Sequence, residues 1–203
     1  FSISSRRFPP LFFHYLALLK KVAAHEHTLA NRLEAKVGNA IQRACNEIMN
    51  GKWGDAFDLD VYQAGAGTPL NMTVNEVIAN RALELLGKRK GKYSIVHPNN
   101  HVNMMQSTND VIPTAIRLTL VDLSISLEKE LIATIHETEK GSKRYAHTLK
   151  TGRTHLQTAV PVTLGQELYA YAQSLRDALR IIREAREGLY ELPLGGTAVG
   201  TGI

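Results

Sequence analysis

The chain has 203 residues, with 24 Lys+Arg against 19 Asp+Glu and a formal charge of +5. At 44% hydrophobic and 21% charged residues, the composition is that of a folded globular protein and excludes a disordered one. A single cysteine, Cys45, excludes an internal disulfide framework and suits a reducing, cytoplasmic compartment, while scattered basic residues and 6% aromatics argue against a nucleic-acid surface.

The predicted elements are helical almost throughout. The most apolar run, residues 11–19, is about half the ~20 residues of a membrane span. It follows Arg6-Arg7, but Pro9-Pro10 interrupts a signal-peptide reading. Leu11, Tyr15, Leu18, Leu19 and Val22 keep helical spacing, so a core helix is expected there and no membrane segment. Leu29, Leu33, Val37, Ile41, Cys45 and Ile48 predict the core face of a second helix, stopped by Gly51-Lys52-Trp53-Gly54-Asp55. A third is expected over 71–86, with Val74, Val77, Ile78, Ala82, Leu85 and Leu86 apolar and Gly87 as its C-terminal cap. From Asp110 to about His147 one long helix is predicted, with Pro113 in its first turn, where proline is tolerated. The last, over 164–189, carries Leu168, Tyr171, Ala172, Leu175, Leu179, Ile182 and Ala185 on one face. No convincing strand alternation, repeat or linker interrupts them, so the expected class is all-α, a bundle of long helices.

Three polar segments between these helices carry the chemistry. In the first, Gln63 to Asn71, small residues around Gly65, Ala66 and Gly67 allow close backbone approach. Thr68 opens a helix whose free N–H groups favour an anion. No Gly-Lys-Ser/Thr follows and no parallel-sheet pattern surrounds this segment, which argues against a phosphate-binding loop. The second, His97 to Asp110, is dense in hydrogen-bonding side chains, and Ser107, Thr108 and Asn109 again stand at a helix start, which suits a carboxylate. One capping residue would satisfy that helix, and here several stand in a row. His97 and His101 have metal-ligand spacing, but no cysteine or carboxylate pair completes a set, so neither metal nor cofactor is expected. The third segment, Gly152 to Glu167, puts the Thr154 hydroxyl beside the titratable His155, an anion ligand or acid/base pair.

These residues resemble the fumarase/aspartase superfamily, in the branch of class II fumarase and aspartate ammonia-lyase. The matching blocks are Gly65-Ala66-Gly67-Thr68 with Asn71-Met72 and Asn75-Glu76-Val77, then His97-Pro98-Asn99 and Gln106-Ser107-Thr108-Asn109-Asp110 with Pro113-Thr114. Gly152-Arg153-Thr154-His155-Leu156-Gln157 with Gly165-Gln166-Glu167 follows, and finally residues 194–202. The resemblance implies elimination of ammonia from L-aspartate to give fumarate, with hydration of fumarate to L-malate as the close alternative. It implies that Ala66, Gly67, Thr68, Ser107, Thr108, Asn109, Thr154 and His155 bind a small dicarboxylate, with Thr108 and His155 catalytic. It also implies a second carboxylate site at His97, Asn99 and Asn100, and a homotetramer.

The same resemblance divides the chain into an N-terminal helical domain, 1–106, and part of a central long-helix bundle, 107–203. It places the family's catalytic serine loop, and the lysine and asparagine after it, beyond Ile203. This stretch by itself would then be inactive. Pro69, Asn100 and Thr158 depart from the family pattern, where serine, aspartate and aspartate are usual. Pro69, Thr158 and the missing C-terminal half motivate a further alternative, a non-enzymatic helical assembly module.

Overall fold

The computed structural model describes residues 3–63, 65 and 67–202. In chain order the main elements are helices α1 (Pro10–Leu29), α2 (Ala35–Met49), α3 (Thr68–Leu85) and α4 (Thr108–Arg144), strands β1 (Leu149–Thr154) and β2 (Gln157–Thr163), and helix α5 (Leu164–Glu187). The all-α class holds, with one hairpin added. Leu120–Tyr190 form one compact unit, and the described residues up to Thr119 and from Glu191 onward form another. The first turns of α4 thus belong to the first unit.

The core of the first unit is built by α1, α2, α3 and the start of α4. Leu16, Ala17, Ile41, Ala44, Cys45, Val74, Ile78, Ala82, Val96, Val111 and Ala115 are buried together. Pro10 starts α1 where its missing N–H costs nothing. The expected face of α1 is rotated: Phe12, Phe13, Leu16, Ala17, Leu19, Lys20 and Ala24 are buried, while Val22 is exposed. The run 11–19 is apolar on almost every side, so spacing alone cannot fix its phase. Leu29 likewise ends α1, exposed, and does not begin the face of α2, because Asn31 turns the chain left-handed (φ 55°). At the end of α3, Gly87 (φ 69°) donates to Glu84 O at 2.9 Å and Lys88 to Leu83 O at 2.9 Å, which closes the helix as its position predicted.

Asp60 ties the N-terminal segment to this unit. Its buried carboxylate accepts from the Tyr62 N–H at 2.9 Å, the Ile3 N–H at 3.1 Å, the Ser4 hydroxyl at 3.1 Å and the Ser4 N–H. These donors, Tyr62 first, hold its pKa below the usual aspartate value. A depressed pKa gives stability that is present above the ordinary value and is lost as pH falls through the folded one. Protection of the Ser4 and Tyr62 amides, relative to their intrinsic exchange rates, should therefore fall on acidification below about pH 4, and at neutral pH in Asp60→Ala. Equal exchange in wild type and variant would contradict this.

In the second unit, β1 and β2 pair antiparallel, Leu149 opposite Thr163 and Thr154 opposite Gln157, with a bulge between Thr151 and Arg153. His155 (φ 50°) and Leu156 (φ 61°) form the two-residue turn, both left-handed, as such hairpins require. No strand was expected here. Most of the hairpin is exposed, so it never needed an apolar alternation. Helix α5 opens with a capping box: Thr163 Oγ1 accepts from Gln166 N at 3.1 Å, and Gln166 Oε1 from Thr163 N at 2.9 Å. Of its predicted face, Ala172 and Leu179 are buried, while Tyr171 is exposed. Among the described residues no helix is long and apolar enough to cross a membrane.

Candidate functional site

Helices α3 and α4 start side by side. Gly67 caps α3 with φ 87°, and a Cβ there would meet Ile112 Cγ2 of α4 at 3.1 Å. Both the backbone angle and the close approach therefore require glycine. Beside this junction lies a cleft of about 520 Å³ lined by Gly65, Gly67, Thr108 and Asn109, with Phe8, Val61, Leu70 and Ile112 among its apolar walls. Thr68, the first residue of α3, and Ser107, just before α4, adjoin the lining residues Gly67 and Thr108 in sequence and are not themselves among the lining. Ala66 lies outside the described residues.

The start of α4 is locked from two directions. Asp110, 1% exposed, accepts from Ser107 N and from Thr197 N, each at 3.0 Å. The Asn109 carboxamide donates to Ala198 O at 2.9 Å. Two of the recognised blocks, distant in sequence, are thereby joined, and one hydrogen of the Asn109 Nδ2 group is committed to that join. Ser107 Oγ accepts from Asn109 N at 3.3 Å, which leaves its hydroxyl hydrogen to be directed elsewhere.

Behind Thr108 stands a polar network that sequence reading did not find. Asn71, 2% exposed on α3, donates through Nδ2 to Thr108 Oγ1 at 3.2 Å and to Asn103 Oδ1 at 3.3 Å. Asn103 Oδ1 also accepts from Lys20 Nζ at 2.6 Å, and Lys20 reaches Gln106 Oε1 at 2.8 Å. Lys20 has no exposed surface. The signal was a lysine within an otherwise apolar helical run, which reads as the run's end unless its phase is known. Burial pulls its pKa from 10.5 to about 7, opposed by the nearby Cys45 and Asp110. Burial raises the Cys45 thiol to about 12.

A lysine whose folded pKa lies below its unfolded one binds its proton more readily when unfolded. Stability therefore rises with pH between about 7 and 10.5. Denaturation of wild type should show this rise relative to Lys20→Met, which lacks the titrating group. Parallel pH profiles would contradict it.

His97, Asn99 and Asn100 are not among the residues lining this cleft. His97 Nδ1 accepts from Asn99 N at 3.0 Å and Asn100 N at 3.3 Å, so its own imidazole takes the amide hydrogens a second carboxylate would use. His101 Nδ1 accepts from His97 N at 2.8 Å, and burial lowers the His101 pKa. Thr154 and His155 belong to the second unit, exposed at the end of β1 and in the hairpin turn.

Two helix starts carrying hydroxyls and an amide around one cleft make a donor array suited to an anionic ligand. A family model described as lyase matches residues 4–203. The chain belongs to that lyase family, within the fumarase/aspartase superfamily. It is 45% identical over 203 residues to an aspartate ammonia-lyase of Bacillus sp, covering 100% of this chain and 43% of that protein. It is 44% identical over 207 residues to a class II fumarate hydratase of Wigglesworthia glossinidia brevipalpis, covering 100% of this chain and 44% of that one. A solved fumarate lyase:delta crystallin from Brucella melitensis matches with TM-score 0.91 and 44% identity, over 100% of this chain and 45% of that chain. The chain thus spans less than half the length of these relatives.

Proposed function

We propose that the intact enzyme carrying this segment eliminates ammonia from L-aspartate to give fumarate. The observation that carries the reading is the cleft at the paired starts of α3 and α4, in a chain this similar to an aspartate ammonia-lyase. Thr68, Ser107, Thr108 and Asn109, with backbone near Ala66 and Gly67, would hold one carboxylate of the substrate. When the neighbouring Cβ proton is removed, negative charge builds on that carboxylate, and fixed donors there stabilise the transition state more than the ground state.

Thr154 and His155 would supply a further substrate contact, with His155 as acid/base. A second carboxylate site at His97, Asn99 and Asn100 requires the His97 ring to turn away from the two amides it now occupies. Hydration of fumarate is the second reading, because the hydratase relative is as similar as the ammonia-lyase one.

A homotetramer is part of the proposal. Leu120, Leu123, Ile125 and Leu127 on α4 and Tyr169, Tyr171 and Ile181 on α5 are exposed, a large apolar surface for a unit whose buried hydrophobic residues are Ile135, Ala172 and Leu179. A cytoplasmic location accords with the buried free thiol of Cys45.

Succinate tests ligand class without turnover. At a hundredfold excess over its Kd it should stabilise the intact protein by about 2.7 kcal/mol. A melting temperature unmoved by succinate would instead support the non-enzymatic assembly module.

A further inference from the structure

We propose that Lys20 is a positioning residue that sets the direction of the Thr108 hydroxyl, acting through Asn103 and Asn71. The argument is one of hydrogen-bond polarity, and it rests on the lyase reading only where it gives Thr108 a task. An ammonium can donate and cannot accept. Lys20 Nζ therefore requires the oxygen, and not the nitrogen, of Asn103 to face it, at 2.6 Å. Gln106 O, an acceptor, takes Asn103 Nδ2 at 3.1 Å on the other side and asks for the same orientation. With the Asn103 oxygen fixed, Asn71 must present Nδ2 to it, at 3.3 Å. The second hydrogen of that NH₂ group goes to Thr108 Oγ1, at 3.2 Å. Thr108 then accepts on its buried side, and its own hydrogen is turned toward the cleft it lines.

The cost of this polarity is visible at the other end of Asn71. Its Oδ1 is buried without a partner among the described residues. An Asn71 flipped by 180° would offer that oxygen to Thr108, draw the hydroxyl hydrogen inward and remove a donor from the cleft. Lys20 and Gln106 together forbid the flip, since it would set two amide oxygens against each other. A neutral Lys20 amine keeps two donor hydrogens but also gains a lone pair, so it no longer excludes an Asn103 turned the other way. The titratable groups facing Lys20 are Cys45 of α2 and Asp110 of α4.

Two measurements decide the matter. In the intact wild-type protein, the Asn71 carboxamide proton resonances should shift with the same midpoint as the Lys20 Nζ resonance, near neutral pH. Asn71 signals that ignore the Lys20 titration would overturn the proposal, and this arm needs neither a variant nor activity. In the intact lyase, Lys20→Met should lower kcat about tenfold with KM within about twofold, since only a donor matched to the transition state is lost. Lys20→Arg, which keeps donors facing Asn103, should recover part of that loss. A folded Lys20→Met enzyme with unchanged kcat, or Lys20→Arg as impaired as Lys20→Met, would overturn it. Absence of fumarate from the wild-type enzyme with every substrate would refute the lyase reading instead, and the resonance measurement would still decide the role of Lys20.

Discussion

Thr108→Ala should lower kcat of the intact lyase by about 10²–10³, the usual cost of removing one donor to a developing oxyanion. The substitution deletes the hydroxyl that lines the cleft and also strips Asn71 Nδ2 of an acceptor at a position 2% exposed. An orphaned buried donor costs roughly 1–3 kcal/mol, so a lower melting temperature should accompany the loss of rate. Thr108→Ser separates the two effects, because it keeps an oxygen for Asn71 and a hydrogen for the substrate. It should restore both the melting temperature and most of kcat. If Thr108→Ala were as active as wild type, Thr108 would be a helix-start residue and nothing more.

Gly165→Ala is the largest expected loss of stability. An added Cβ would lie 2.5 Å from Ser142 O, 2.7 Å from Ala146 Cα and 2.9 Å from Ala146 N, all backbone atoms that cannot swing aside. The same contact is held by the Gly165 N–H on Tyr145 O at 3.0 Å and the Ser142 hydroxyl on Gly165 O at 2.8 Å. The end of α4 and the start of α5 would have to separate, at a cost of about 1–3 kcal/mol or more. Gly188→Ala is the matched control. A Cβ there meets nothing within 4 Å, and its backbone is right-handed helical (φ −67°), so the change should stay within about 0.5 kcal/mol. Urea denaturation of both variants checks the pair. Equal midpoints would show that α4 can retreat from α5 without loss.

Gly165 also shows what sequence could and could not convey. The block Gly165-Gln166-Glu167 was recognisable as part of a family pattern. In the structure, Gly165 permits a close backbone approach, Gln166 completes a capping box, and Glu167 pairs with Lys150 at 2.6 Å. A recognisable motif thus carries architecture as well as chemistry, and spacing does not tell the two apart.

Helix existence was legible, since 3.6-residue periodicity ran through the chain and Gly87 and Pro113 stood at meaningful positions. The phase of α1 was not, because its apolar residues surround the helix. The hairpin from Leu149 to Thr163 was not, because an exposed ribbon needs no alternating pattern. Thr68, Ser107, Thr108 and Asn109 were legible as polar residues crowded at helix starts. Asn71 and Lys20 were not, because their significance lies in burial and in bonds across 37 and 83 residues of sequence.

Fumarate formation by the purified intact enzyme, followed by ultraviolet absorbance with L-aspartate and then L-malate as substrate, tests the central claim most directly. The account predicts fumarate and ammonia in equal amounts from L-aspartate and none from L-malate. Fumarate from L-malate alone would assign the hydratase, and fumarate from neither would contradict the claim that this fold and cleft belong to a working dicarboxylate lyase.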